Sequence, residues 1–366
     1  MTARRLDGAL ASFTFDGRDI PYEDGDTFAS ALHRAGVLEL SRSMKYHRPR
    51  GSHCFSGGCA GCLVQVDGHP NITACLEPAE PAEVRSQNRI GSAKRDLLGI
   101  TDKVYRKGFD PHGAFTKPRL LNAAFMKAVR FMSGVGKAPE APAGVQARRH
   151  QIEVDELIIG AGPTGMARAL ASQAKRVVLV DEGDIPAAPE HVEAWPRSLA
   201  FGIYGNVVAI RRGDDLWEVT AKHVILATGS HDGWPLFASN DLPGVLSLRG
   251  AERLMRRHGV LPGTRVAFHG RPAQSFLDDL QKLGGQVVAH GDVAQAGGGT
   301  RVEKARIGNT WVACDAVVCD VPRNPRLELL QQAGCKLVAA GAVLKPQVDA
   351  TGRTSVAHVT WLEGGA

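Results

Sequence analysis

The sequence predicts a small α+β module followed by a larger α/β fold, and three observations predict it. Four cysteines fall within 22 residues near the N-terminus, a glycine fingerprint follows an apolar strand near residue 160, and strands then alternate with helices. The 366 residues leave room for two or three domains at ~150 residues each.

Hydrophobic residues make up 43% and charged residues 22% of the chain, the balance of an ordinary soluble globular protein. The opening residues carry basic side chains, but Asp7 and Asp16 interrupt them and no apolar run has the length of a signal core or a membrane span. Seven cysteines, four of them crowded together, fit a secreted disulfide framework poorly and a reducing cytoplasm better. The net charge of +6 is concentrated: residues 101–150 hold ten Lys or Arg against three Asp or Glu. No nucleic-acid module surrounds that segment, so nucleic acid is not the expected partner. A solvated basic connector and a docking surface for an acidic partner subunit both remain open for it.

Residues 1–85 read as the α+β module. "SFTFDGRDIPYEDGDTFASALHRAGV" gives a hairpin turning at Asp16-Gly17, then a helix opened by Asp26 and Thr27 and stopped at Gly36. "CLVQVDGHPNIT" adds a strand pair around Asp67-Gly68. Residues 86–150 are a connector with its own helix, where Leu121, Phe125, Ala128 and Met132 recur at helical spacing and Gly134 offers a stop. "GKAPEAPAGV" marks a flexible boundary. From residue 151 the pattern becomes that of a parallel sheet.

The cysteine spacing is Cys54-x4-Cys59-x2-Cys62-x12-Cys75, the plant-type ligand pattern of a 2Fe-2S cluster. Two sulfide-bridged irons need four thiolates, and a loop holding three of them must curl with its amides inward. Gly57, Gly58 and Gly61 permit such a curl because they tolerate positive φ and bring no side chain. The freed amides can donate to sulfur. Zinc is the main competitor, but only Cys59 and Cys62 form the paired knuckle that structural zinc takes twice. The module is thus expected to be a ferredoxin-like 2Fe-2S domain with Cys54, Cys59, Cys62 and Cys75 as ligands. Upstream, "MKYHRPRG" gathers Lys45, His47, Arg48 and Arg50. They form either an exposed basic turn or a fixed charge that raises the potential above the plant-type value of about −400 mV.

In "VDELIIGAGPTGMARAL" an apolar strand runs into Gly160-x-Gly162-x-x-Gly165 and then a helix, the context in which this fingerprint signifies a dinucleotide site. Gly160, Gly162, Pro163, Thr164 and Gly165 would let the backbone approach a pyrophosphate at the helix N-terminus. After "RVVLV", Asp181 and Glu182 stand where an acid accepts from ribose hydroxyls, Asp181 being favoured by register. "KHVILATGSH" leads through a strand to Ala227-Thr228-Gly229, a return turn expected to close on the same ligand. The later "AFHGRPAQSF" keeps only Gly270 of a second fingerprint, so that module, about residues 246–325, is expected to be degenerate and not to bind NAD(P)H. Cys314, Cys319 and Cys335 lie in apolar contexts that suit core thiols.

"FTFDGRDIPYEDGDTFASALHRAGVLELSRSMKYHRPRG", "EVRSQNR", "GAGPTGMARAL", "VILATGS" and "NDLPGV" resemble, in order and spacing, the N-terminal half of the alpha subunit of heterotetrameric sarcosine oxidase. They also resemble its relatives among opine oxidases, D-hydroxyproline and L-proline dehydrogenase complexes and hydrogen cyanide synthase. The resemblance covers nearly the whole chain, and the four cysteines bring it closer to the opine and hydroxyproline branch.

It implies a truncated α/β flavoprotein fold with two dinucleotide-binding domains over residues 151–366. It also implies FAD or NAD at the first fingerprint, an FAD-containing beta subunit resembling D-amino-acid or sarcosine oxidase, and FMN at the partner interface. Only about 45 residues separate Asp181 from Ala227, fewer than such flavoproteins place there, and "RTSVAHVTWLEGGA" lacks the final helix of the family pattern. No general base or nucleophile for substrate chemistry is evident. The expected role is electron transfer within a flavin-dependent amine or amino-acid oxidoreductase. The alternatives are an independent NAD(P)H-dependent iron-sulfur flavoprotein reductase and a non-catalytic scaffold.

Overall fold

The computed structural model describes residues 5–6, 9–43, 46–89, 91–92, 95–96, 117–132, 147–185, 187–341 and 343–364. The chain divides into two compact units, Met1–Glu140 with Asp232–Pro322, and Ala141–His231 with Arg323–Ala366.

In the first unit a five-stranded sheet runs in the order Arg18–Pro21, Ser12–Phe15, Glu83–Ser86, Leu63–Val66, His69–Thr73. All neighbours are antiparallel except Ser12–Phe15 with Glu83–Ser86. The two hairpins turn where the sequence places them, with Asp16-Gly17 and Asp67-Gly68 all at positive φ, the backbone a two-residue turn requires. Helix Phe28–Arg34 begins at Thr27, whose hydroxyl accepts from the Ser30 amide at 3.2 Å while the Thr27 amide donates to the Ser30 hydroxyl at 2.9 Å. This reciprocal cap satisfies two amides that the first turn would otherwise leave unpaired. Gly36, at φ +73°, ends the helix in the left-handed conformation.

Residues 232–322 belong to the same unit and carry a four-stranded parallel sheet, ordered Val245–Ser247, Ala316–Cys319, Arg265–His269, Gln286–Gly291. Helices Leu248–His258 and Gln274–Lys282 accompany it, and the strands Val293–Gly297, Lys304–Ile307 and Thr310–Ala313 form an antiparallel sheet. The reason this module groups with the N-terminal one is a continuous core. Phe28, Leu32 and Phe55 pack in one apolar cluster with Leu254, Met255, Phe268 and Phe276. Each such side chain contributes about 1.5–3 kcal/mol on burial, so the two modules share their main stabilising term. Cys314 and Cys319 are buried here, as their apolar contexts predict, and burial pushes the Cys314 thiol up to about 11.

Of the basic connector, helix Arg119–Met132 is described; it exposes Leu120, Leu121 and Met126 and half-buries Phe125. Gly134 and most of the charged segment lie outside the described residues.

The second unit is built on a sheet ordered Val192–Trp195, Val177–Val180, Arg149–Ile159, Asp215–Leu226, Val207–Arg212, Ser198–Tyr204. The first four strands are parallel, and Val207–Arg212 and Ser198–Tyr204 form an antiparallel hairpin on the edge. Besides Arg149–Ile159, Asp215–Leu226 is long enough to serve two partners on its other side: its first half pairs with that hairpin, and Val224–Leu226 pair in parallel with Val359–Trp361. Leu157, Val178, Val180, Val224 and Leu226 are fully or almost fully buried, which explains their near-continuous apolar run in sequence. Cys335 is buried in this unit. Among the described residues no helix is long and apolar enough to cross a membrane.

One titration is built into the first unit. The His33 ring packs edge-on against Phe55 at 5.9 Å, its Nε2 faces the Pro262 carbonyl at 3.1 Å, and burial pushes it down from 6.5 to about 4. A histidine held neutral in the fold contributes stability above pH 6.5 that is lost as pH falls towards 4, because the unfolded chain takes up the proton first. The loss is at most about 3 kcal/mol and is tempered by the part of the ring that meets solvent. Denaturant titrations of wild type and His33→Gln between pH 7 and 4 should show this pH slope in wild type and its loss in the variant.

Candidate functional site

Residues 51–62 curl into a tight loop between the helix and the strand Leu63–Val66. Of the three glycines expected to supply positive φ, Gly57 does so at +76°, whereas the other left-handed positions are taken by Phe55 and Ala60. Gly61 is needed for a different reason: a Cβ there would lie 2.4 Å from the Gly51 carbonyl oxygen. Gly51 in turn has its Cα against the Leu38 carbonyl. Backbone thus passes over backbone twice, with no room for a side chain at either crossing.

The curl brings the four predicted ligands together. Cys54, Cys62 and Cys75 are buried and Cys59 is half-buried. The Cys54 thiol lies beside those of Cys59 and Cys75, and the Cys62 thiol beside that of Cys75, close enough for each to shift the others' titration. The Gly57 amide donates to the Cys75 sulfur at 3.3 Å and the Gly61 amide to the Cys59 sulfur at 3.5 Å.

The thiols titrate as a set. Hydrogen bonds from Cys59 and Cys75 pull Cys54 well down, the bond from Cys75 pulls Cys62 down, and Cys59 and Cys75, as donors to Cys54, are pushed up. All seven cysteines are free. Among the described residues no three His, Cys, Asp or Glu are set to hold a single metal ion. Four thiols in pairwise contact, with inward amides, fit two irons that each take two sulfurs.

Sequence reading missed the shell behind this loop. His53, fully buried, has Nδ1 at 3.0 Å from the Val245 carbonyl oxygen and Nε2 at 3.2 Å from that of Gly233, and its ring stacks on Trp234 at 4.0 Å. The Ser247 amide and hydroxyl donate to the His53 carbonyl, at 3.1 and 3.3 Å. Arg253 donates from Nη1 to the Cys54 carbonyl at 2.7 Å and to Asp232 at 2.8 Å. Asp232, buried, also pairs with Arg249. No local pattern marks these residues, since their partners lie some 180 to 200 positions away.

The basic stretch expected to tune the cluster is less free than its composition implies. Arg50 is paired with Asp241 at 2.6 Å, Arg48 lies over the Tyr46 ring at 5.0 Å, and His47 is buried. Lys45 lies outside the described residues. Arg42, Arg50, Asn88 and Trp234 line a cavity of about 620 Å³ with Cys59 in its wall.

In the second unit the fingerprint forms the expected turn. Gly160 has φ +103°, and a Cβ on it would lie 2.3 Å from the Ala227 carbonyl oxygen. A Cβ on Gly165 would lie 1.8 Å from the Gly160 carbonyl oxygen, so helix Pro163–Ala171 can sit against its strand only with glycine there. Gly162 caps the helix with open space where its Cβ would be, Pro163 takes the first helical position, and Thr164 follows in the first turn.

The Asp181 carboxylate accepts from the Ala161 amide at 2.6 Å and the Gly183 amide at 2.7 Å, which ties it to the glycine turn. Glu182 is exposed and faces Arg326 at 3.7 Å. Ala227 packs against the turn, and Gly229 takes φ +70° beyond Thr228. The open cradle at Gly162 fits a pyrophosphate. The first unit's Gly270 also adopts φ +103°, but Arg271, Pro272 and Ala273 follow it where Ala161, Gly162 and Pro163 follow Gly160.

Comparison with known proteins agrees with this geometry. Residues 9–89 match the family described as a 2Fe-2S iron-sulfur cluster binding domain. The chain is 32% identical over 357 residues to sarcosine oxidase subunit alpha of Rhizobium meliloti (strain 1021), an alignment covering 83% of this chain and 36% of that protein. It is 26% identical over 376 residues to the alpha subunit of Corynebacterium sp. (strain P-1), covering 89% and 35%. The chain therefore spans about a third of the length of these curated relatives. The crystal structure of L-proline dehydrogenase from P. horikoshii shares the fold, with a TM-score of 0.72 at 21% identity over 98% of this chain and 69% of that one. The chain is thus similar to sarcosine oxidase alpha subunits over about a third of their length, matches the 2Fe-2S cluster binding domain family over residues 9–89, and shares the fold of L-proline dehydrogenase.

Proposed function

We propose that this chain is the electron-transfer subunit of a multi-subunit flavin-dependent oxidase or dehydrogenase acting on a CH-NH or CH-NH2 donor of the sarcosine, opine or hydroxyproline kind. The observation that carries the proposal is the set of four free thiols in mutual contact between residues 54 and 75, in a chain that also holds a glycine turn open at Gly162. The likeness to sarcosine oxidase alpha subunits supports the donor class.

In this role Cys54, Cys59, Cys62 and Cys75 ligate a 2Fe-2S cluster, which when bound supplies storage for one electron at a time. The Gly57 and Gly61 amides point at ligand sulfurs and stabilise added negative charge there. Burial of three of the four cysteines keeps water from those sulfurs, while half-buried Cys59, in the wall of the cavity, marks the side nearest solvent.

Gly160, Gly162, Pro163, Thr164 and Gly165 receive the pyrophosphate of FAD or NAD, with Asp181 or Glu182 on the ribose side and Ala227, Thr228 and Gly229 closing the turn. A partner subunit carrying FAD and resembling D-amino-acid or sarcosine oxidase takes the hydride from the carbon beside the amine, leaving an imine that hydrolyses. FMN at the interface with that partner completes the cofactor set. Seven free thiols suit a reducing, cytoplasmic setting.

Three outcomes follow. Protein prepared without oxygen should carry about two irons and two acid-labile sulfides per chain and give a paramagnetic signal when reduced; protein lacking both defeats the proposal. Gly61→Ala should lower iron content and cost about 1–3 kcal/mol in denaturant unfolding, because the new methyl meets backbone. Gly162→Ala fits the fold, yet places a methyl where the pyrophosphate approaches. Its melting temperature should match wild type while nucleotide affinity falls about tenfold or more, and unchanged nucleotide occupancy would show that the fingerprint is not used.

A further inference from the structure

We propose that Arg253, anchored by Asp232, sets the reduction potential of the cluster, and that the degenerate nucleotide module thereby serves as the cluster's outer shell. This inference rests on the assignment of Cys54, Cys59, Cys62 and Cys75 as cluster ligands.

The helix Leu248–His258 is held hard against the ligand loop. A Cβ on Gly250 would lie 2.3 Å from the His53 carbonyl oxygen and 3.1 Å from the carbonyl carbon of Cys54. One turn along, the Arg253 guanidinium reaches the Cys54 carbonyl oxygen at 2.7 Å. Cys54 itself is 1% exposed. Arg253 is therefore a cation one hydrogen bond away from the backbone of a ligand that water does not reach.

Its position is specified rather than incidental. The Asp232 side chain, 3% exposed, binds Arg253 through one oxygen at 2.8 Å and Arg249 through the other. Asp232 holds both guanidinium groups, so replacing Arg253 by a neutral side chain removes one positive charge beside Cys54 while Asp232 keeps Arg249. Taking up an electron adds negative charge to the cluster, and a cation in a poorly solvated setting stabilises that state more than a surface charge does. Arg253 acts through Cys54 and is a positioning and charge-setting residue.

The test is a potentiometric titration of the cluster, followed by its reduced-state paramagnetic signal, in R253M, R253K, D232N and R256M. Arg256, on the same helix but paired with Asp279 and half exposed, is the charge control. R253M should shift the midpoint to lower potential, R253K should restore most of the wild-type value, and D232N, which frees both cations from their carboxylate, should shift it upward. R256M should stay near wild type, and the R253M shift should persist at high salt. A purely structural disturbance would move R253M and D232N in the same direction. Intact clusters with unshifted potentials in R253M and D232N overturn the inference. If R253M assembles no cluster, an unshifted D232N overturns it. Wild-type protein without iron would remove the underlying ligand assignment instead, an outcome distinct from an intact but insensitive cluster.

Discussion

Four sulfur atoms can share one short loop only if the backbone around them gives up its own space, and the first unit is organised by that requirement. Three close approaches enforce it: Gly51 against Leu38, Gly61 against Gly51, and Gly250 against His53. Phe55, Gly57 and Ala60 take left-handed backbone between them, a conformation that for Phe and Ala costs energy and persists only where the surroundings over-determine it. The amides released by the curl point at sulfur. A loop so constrained fixes the positions of its thiols through its backbone.

The surroundings that over-determine the loop come from a module that reads as a damaged nucleotide fold. Its Gly270 keeps the backbone of a fingerprint turn, at the same φ as Gly160, while Arg271, Pro272 and Ala273 follow it in place of further glycines. The module nonetheless contributes Leu254, Met255, Phe268 and Phe276 to the core that Phe28, Leu32 and Phe55 need. It also supplies Ser247 and Arg253 to the carbonyls of His53 and Cys54. The module thus serves the ligand loop as packing surface, which is why function has to be argued from side chains rather than from architecture.

The second unit illustrates a related economy. Between Asp181 and Ala227 the chain inserts only the strand Val192–Trp195, a hairpin and the return strand. Val192–Trp195 and the hairpin extend the sheet at its two edges, and the long strand Asp215–Leu226 pairs with the hairpin along its first half and with Val359–Trp361 along its second. Asp181 accepts from two backbone amides, of Ala161 and Gly183, which ties the glycine turn to the strand end with a short connecting segment.

Much of this was legible from the sequence because the signals are short-range. Turn pairs such as Asp16-Gly17 and Asp67-Gly68, the Thr27 cap, the buried strand before Gly160 and the cysteine spacing all depend on neighbours a few positions apart. Backbone sterics and ligand reach act over just that distance. Tertiary structure alone decided which positions of the loop carry positive φ, that Arg50 spends its charge on Asp241, and that the second nucleotide module shares a core with the N-terminal one. It alone joined Arg253 to Cys54 across 199 positions. No periodicity encodes such a contact, because the burial of apolar side chains from distant segments determines which faces meet, and the polar partners at their margin are selected only once that packing exists.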